Sequence, residues 1–339
     1  MSSGTSDLRR SAVRSLLGVQ ILATGSHVPS QVVTNQELES KLGFEPGWVE
    51  QRSGIRERRF AAPEIATSDL AVEAAKHCLD KAGVRSDEVD LLIVGTFTPD
   101  MLCPSTACLV QNKLGLNCPA MDIQAACAGF MYALITGAQF VAAGTSQRAL
   151  IIGADCNSRI INPKDQRTYP LFGDGAGAVL LAPGSAKQGL VAYTLGSDGA
   201  GSHMLFRSMG GSLHPTTAGA DIAEHYLQMD GKAVFKWAVR QVADTIAQVL
   251  APAGMTPNDV RLFLAHQANA RILTALGEAS GLRPEQIFMN LDRYGNTSAG
   301  SIPLAMDEAL EQGRFGRGDR LLLSGFGAGL TWGTALIEW

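Results

Sequence analysis

Short runs of consecutive apolar residues punctuate the chain: LLIVG at 91–95, ALIIG at 149–153, LFLA at 262–265 and LLLSG at 321–325. They are too uniformly apolar for strands with one wet face and read as buried strands. Between them lie stretches of helical length and periodicity, at 130–143, 232–250 and 302–312. Strands alternating with helices predict mainly parallel sheets covered on both faces, because a parallel connection needs a crossover element.

The pattern also repeats. AGVRSDEVDLLIVG at 82–95 aligns without gaps to AGMTPNDVRLFLAH at 253–266, each a helix end, a polar turn and a buried strand, with Gly95 opposite His266. Downstream, DIQAACAG at 122–129 corresponds to DRYGNTSAG at 292–300, with one extra residue in the second copy, and each then enters a helix. Turn signals thin out around 184–200, so the chain divides into two α/β halves, 17–186 and 187–339, packed together rather than strung on a linker. A duplicated unit of this kind places its sites where the copies meet. Residues 1–16, with Arg9, Arg10 and Arg14 among serines, lack an apolar centre and read as a flexible tail rather than a targeting segment.

Composition narrows the class. The chain has 339 residues, 46% of them hydrophobic, and a mean hydropathy of +0.08, enough for one large core or two fused ones. Its 37 glycines cluster beside the apolar runs, which favours an α/β enzyme over a helical bundle. A net charge of −4 offers no global field for nucleic acid or an anionic membrane, and no run of eighteen apolar residues exists. Six dispersed cysteines without CxxC spacing predict reduced thiols in the cytoplasm, neither a disulfide framework nor a metal site.

Three residues carry candidate chemistry. Cys127 sits in the small-residue run Ala125-Ala126-Cys127-Ala128-Gly129 at the start of a predicted helix, where backbone N–H groups and the helix dipole would favour thiolate. His266 ends the strand Leu262–Ala265 and so projects from a strand's carboxyl end. Asn296 lies in Gly295-Asn296-Thr297-Ser298 at the equivalent end of the second half. Singly, each has a structural explanation: a small buried cysteine, a satisfied core histidine, a turn asparagine. The repeat brings them to corresponding strand ends, as a nucleophilic sulfur with two neutral donors able to stabilise an enolate oxygen.

These residues in their contexts, QAACAGF, HQANARI and YGNTSAGSIP, together with GIRERRF at 54–60, FGDGAGAVLL at 172–181 and FGAGLTWGTALIEW at 326–339, resemble the β-ketoacyl-acyl-carrier-protein synthase III family from about residue 17 to the end. The resemblance implies a thiolase-like five-layered αβαβα fold. It also implies an acyltransferase that condenses an acyl-CoA starter, held on Cys127, with malonyl-acyl carrier protein to initiate fatty acid synthesis. His266 and Asn296 would serve the malonyl group, and backbone N–H groups of Cys127 and Ala328 would form the oxyanion hole. Trp48, Arg52, Arg167 and Asn269 would bind CoA, with Gln166 where the family has an arginine. Lys236, Arg240 and Arg271 would dock the acidic carrier protein, and Cys103 and Phe326 would bound the acyl pocket, Cys103 from across a homodimer. No cofactor is implied, since acyl-CoA and the malonyl carrier protein are substrates.

A thiolase would place a second cysteine in the C-terminal glycine-rich loop, and Ser324-Gly325-Phe326-Gly327 has none. A polyketide-type relative with an unusual starter and a catalytically silent acyl-binding relative are the remaining alternatives. The presence of all three catalytic residue types weighs against the silent form.

Overall fold

The structure is a computed structural model that describes residues 10–216 and 222–339. Ten strands form two five-stranded sheets. The strands are β1 (Arg14–Leu17), β2 (Val19–His27), β3 (Leu91–Gly95), β4 (Ala120–Ile123), β5 (Ala149–Asp155), β6 (Gly175–Pro183), β7 (Gly189–Ser197), β8 (Leu262–Ala265), β9 (Arg320–Gly327) and β10 (Thr331–Glu338). One sheet runs β2-β6-β5-β3-β4 and the other β1-β7-β10-β9-β8.

Six helices cover them: α1 (Thr67–Ala82), α2 (Thr106–Leu114), α3 (Gly129–Ala142), α4 (Gly231–Leu250), α5 (Ala270–Ser280) and α6 (Ser301–Glu311). Helices α1 and α2 pack outside the first sheet, and α4 with α5 outside the second. Between the sheets lie α3 and α6, whose Phe130, Met131, Leu134, Ile302, Ala305 and Met306 fill one core with both sheets' inner faces. Helix α3 is apolar nearly all round because it touches both sheets. The layers are therefore αβαβα, as the resemblance implies, and the helices expected at 130–143, 232–250 and 302–312 are present within one residue.

Sheet polarity differs from expectation. Only β3–β4, β3–β5 and β8–β9 pair in parallel, and the remaining pairs are antiparallel. The reason is local for β9 and β10: the connection 328–330 is too short for a crossover, so the chain returns as a hairpin. Residues 14–17, which the sequence divides between a tail and the first half, form β1 and pair antiparallel with β7 in the second sheet, where Leu16 packs against the core. Residues 1–9 of that tail lie outside the described residues. Position 186 falls in the turn between β6 and β7.

Candidate active site

After β4 the chain makes a 3₁₀ turn over Ala126–Ala128 and enters α3 at Gly129. Ala126, immediately before Cys127, has φ +47°, a left-handed conformation that few non-glycine residues adopt outside constrained sites. The second half repeats the device: Ser298, φ +52°, opens the 3₁₀ turn Ser298–Gly300, and α6 follows at Ser301. Matched by these element starts, Ala126 is the counterpart of Ser298, one residue out of step with the sequence match, which sets Cys127 against Ser298.

Cys127 is buried, and the Ser298 hydroxyl lies 3.3 Å from its sulfur. The end of β9 presses on its backbone: a Cβ added at Gly327 would sit 2.7 Å from Cys127 N. Burial pushes the Cys127 thiol up to about 12, while the Ser298 hydrogen bond pulls the other way but less strongly. The expectation of a thiolate in the ligand-free site is therefore corrected, because desolvation outweighs the groups that favour the anion.

His266 follows β8 with its backbone N–H on Ser324 O at 2.8 Å, which continues the β8–β9 ladder by one bond. Its Nδ1 lies 2.8 Å from the Ser301 hydroxyl oxygen, and its ring meets Phe326 edge-on at 5.1 Å between centroids. Burial lowers its pKa to about 3, so the imidazole is neutral at physiological pH.

Asn296 is clamped from several sides. Its N–H donates to Leu171 O (2.8 Å), its carbonyl accepts from Gly173 N (3.0 Å), and its side-chain oxygen accepts from Ser298 N (2.8 Å). The amide nitrogen is thereby left to face a ligand. The loop is held from beneath by Asp155 at the end of β5, which accepts from Ala299 N at 3.0 Å and from Thr96, Phe97 and Thr98. A Cβ at Gly153 would meet Ala299 O at 2.2 Å, so only glycine lets the two halves approach this closely.

Cys127, His266 and Asn296 line one cavity of about 750 Å³, together with Phe172, Leu205 and Phe326. Trp48, Arg52, Gln166, Arg167 and Asn269 line the same cavity. Arg52 and Asn269 also line a neighbouring recess of about 490 Å³ with Lys232 and Arg271. Trp48 is fixed by buried Glu39, whose carboxylate accepts from Gly47 N and Val49 N at 2.9 Å each, and by stacking on Phe44 at 4.0 Å. The Arg52 guanidinium lies 5.1 Å from the Trp48 ring centroid. Asn269 caps α5 through its side-chain oxygen, which leaves its amide N–H groups for another partner. Arg167 lies 3.3 Å from Asp165, and the Gln166 amide donates to Leu42 O.

Other expected residues lie apart from the cavity. Lys236 and Arg240 are exposed on α4 outside it. Cys103 is exposed on the loop with Met101 and Leu102 and does not line this chain's cavity. Ala328 is half-buried beside it, its carbonyl sharing the Thr331 hydroxyl with Ala125 O at 2.9 Å each. Sequence reasoning missed Ser298, Ser301 and Asp155. The two serines stand in the quoted YGNTSAGSIP, but nothing in the string says which hydroxyl reaches which partner. Among the described residues no group of three or more His, Cys, Asp or Glu could hold a metal ion, and no helix is long and apolar enough to cross a membrane.

A buried thiol, a neutral imidazole and a carboxamide donor converging where duplicated α/β halves meet define the class of thiolase-fold condensing enzymes. Comparison with known proteins refines this. The models for 3-oxoacyl-[acyl-carrier-protein] synthase III and for its C-terminal part match residues 121–199 and 250–339. The β-ketoacyl-[acyl-carrier-protein] synthase III of Rhodopirellula baltica is 52% identical over 343 residues, covering 96% of this chain and 99% of the relative. The crystal structure of 3-oxoacyl-[acyl-carrier-protein] synthase III from Aquifex aeolicus is similar with a TM-score of 0.87 at 39% identity, covering 95% of this chain and 100% of that one. The priming β-ketosynthase of the R1128 polyketide pathway has the same fold (TM-score 0.88, 98% of each chain) at a lower identity of 33%. The chain belongs to the β-ketoacyl-acyl-carrier-protein synthase III family.

Proposed function

We propose that the chain condenses an acyl-CoA starter with malonyl-acyl carrier protein, the first carbon–carbon bond of a fatty acid chain. The Cys127 sulfur attacks the acyl-CoA carbonyl, its proton leaves with the CoA sulfur as thiol, and the acyl group remains as a thioester on Cys127. The oxyanion formed in that attack is met by the backbone N–H groups of Cys127 and Ala328. The malonyl thioester then loses carbon dioxide, and His266 and Asn296 donate hydrogen bonds to its carbonyl oxygen as enolate charge develops. The enolate carbon attacks the acyl carbonyl and expels the Cys127 sulfur as thiolate, which takes up one proton from water to restore the thiol, leaving a β-ketoacyl carrier protein. Both substrates arrive activated as thioesters, so no cofactor is needed.

Trp48 and Arg52 fit the CoA nucleotide. Adenine stacking on the Trp48 face opposite Phe44 displaces the Arg52 guanidinium, which then pairs with phosphate beside Arg167 and Asn269. Lys236, Arg240 and Arg271 form the exposed basic edge for the acidic carrier protein in an otherwise acidic chain. Exposed Met101 and Leu102 beside Cys103 fit a face covered by a second copy of the chain, with Cys103 bordering the partner's acyl pocket and Phe326 its own. On the family likeness, we read the enzyme as a homodimer of the cytoplasm whose partners are acyl-CoA and the acyl carrier protein rather than nucleic acid or membrane.

One observation carries this reading: Cys127, His266 and Asn296 share a cavity with Trp48 and Arg52. Mass spectrometry after exposure to acyl-CoA should find one acyl group on Cys127, which malonyl carrier protein discharges as β-ketoacyl product. Cys127→Ser should abolish both, whereas His266→Ala and Asn296→Ala should acylate and lose decarboxylation by about 100-fold or more. Acylation at another residue, or condensation by Cys127→Ser, would sink the assignment.

A further inference from the structure

The surroundings of His266 contain a donor conflict that the general mechanism does not resolve. The Ser301 hydroxyl has one hydrogen and two acceptors almost equally near: Ser298 O at 2.7 Å and His266 Nδ1 at 2.8 Å. Both lie in the buried floor of the site, where Ser298 and Ser301 are almost wholly covered. A carbonyl only accepts. When the hydroxyl points to Ser298 O, its oxygen can only accept from Nδ1–H, and a neutral ring then presents a bare lone pair at Nε2. When the hydroxyl turns to Nδ1, the ring proton resides on Nε2. Only the second arrangement can donate to an enolate oxygen; the first would aim a lone pair at the developing negative charge.

We propose that Ser301 is the positioning residue that selects the tautomer of His266, its hydroxyl turning from Ser298 O to Nδ1 to give the Nε2–H form used in decarboxylation. This rests on the reading above, in which His266 is a donor. The turn leaves no group stranded. Ser298 O keeps the backbone N–H of Ser301, and the Ser301 oxygen keeps the N–H of Gln267 at 3.4 Å. The two ring forms each carry one proton, so the change releases one at Nδ1 and gains one at Nε2 by exchange with water, without net charge. Burial holds the ring neutral in both forms.

Two variants separate the hydroxyl from its volume: Ser301→Ala removes both, and Ser301→Cys fills the space with a weak donor. With either, Nδ1 loses the hydroxyl donor that holds the ring proton on Nε2. In ¹⁵N spectra of histidine-labelled, ligand-free protein, the wild type should populate both tautomers, and both variants should lose the Nε2–H form. Malonyl decarboxylation should fall on the order of 100-fold in both, the size of losing one donor to an oxyanion, while self-acylation stays within about threefold. An unchanged tautomer ratio, equal loss of both half-reactions, or wild-type decarboxylation by Ser301→Cys would overturn the proposal. The spectrum needs no substrate, so it fails or succeeds apart from the functional reading, which instead falls if the wild type does not condense.

Discussion

Gly327→Ala tests whether the end of β9 holds the nucleophile in place. The added Cβ would lie 2.7 Å from Cys127 N, 3.0 Å from its Cβ and 3.2 Å from its Cα. Ordinary contact begins near 3.4 Å, so one side must yield by about 0.7 Å. Strand β9 is paired with β10 from Arg320 to Gly327 and backed by α3, whereas Cys127 rides a single 3₁₀ turn that begins at a left-handed alanine. The turn is the softer partner, so the sulfur moves. A misplacement of about 1 Å at a reacting atom can cost on the order of 100-fold in rate, so the self-acylation rate should fall by tens of fold. Overpacking of this kind costs roughly 1–3 kcal/mol in stability, which should show as a lower melting temperature in a protein that remains folded. Gly316→Ala is the control, because nothing lies within 4 Å of its Cβ position. Single-turnover acylation followed by intact-mass spectrometry reads the rate. Wild-type acylation by a normally folded Gly327→Ala enzyme would refute the idea that this contact positions the sulfur.

Further outcomes follow from the same geometry. Burial pushes the Cys127 thiol up to about 12, so its alkylation by iodoacetamide in the ligand-free enzyme should climb about 100-fold from pH 7 to 9 without a plateau; peptide mapping separates it from exposed Cys103 and Cys108, and a plateau below pH 8 would contradict a buried neutral thiol. Charge reversal at Lys236 or Arg271 should raise the apparent KM for malonyl carrier protein most strongly at low salt and leave self-acylation unchanged, and an unaltered salt dependence would remove them from the docking edge. Cys103→Phe should shift competition between acetyl-CoA and a C6–C8 acyl-CoA toward acetyl, since each buried methylene contributes about 0.8 kcal/mol to the longer chain; an unchanged ratio would exclude Cys103 from the pocket.

The layers of the fold were legible because α3, α6 and their flanking strands are apolar in the periods their burial demands, and because the repeat at 82–95 and 253–266 announces two halves. Sheet polarity was not. Nothing in GAGAVLLAP at 175–183 or TWGTALIE at 331–338 states which neighbour a strand will pair with, and the β9–β10 hairpin turns on a three-residue connection. For the site, residue type and strand-end position were enough to nominate Cys127, His266 and Asn296 before any contact was known. The ionisation of Cys127 is not legible in the sequence for a physical reason: a helix start is visible there, whereas burial is a property of packing from β9 and the Ser298 turn. Ser301 and Asp155 were invisible for the same reason, since each acts through a partner more than thirty residues away in the chain.

The burial of Cys127 bears on how the site works. With the thiol pushed up and the imidazole pushed down by the same burial, the resting cavity floor holds neither thiolate nor imidazolium. Under the proposed roles, negative charge then enters this floor with the malonyl carboxylate and develops there on the acyl oxyanion and the malonyl enolate. Fixed neutral donors interact weakly with an uncharged thioester and strongly with an oxyanion, the more so where water is excluded. A permanent imidazolium would instead attract the malonyl carboxylate and stabilise the ground state that must lose carbon dioxide. A neutral histidine avoids this in either tautomer, but it donates to the enolate only if its proton is on Nε2. The hydroxyl beneath it therefore bears on rate even though it touches no substrate.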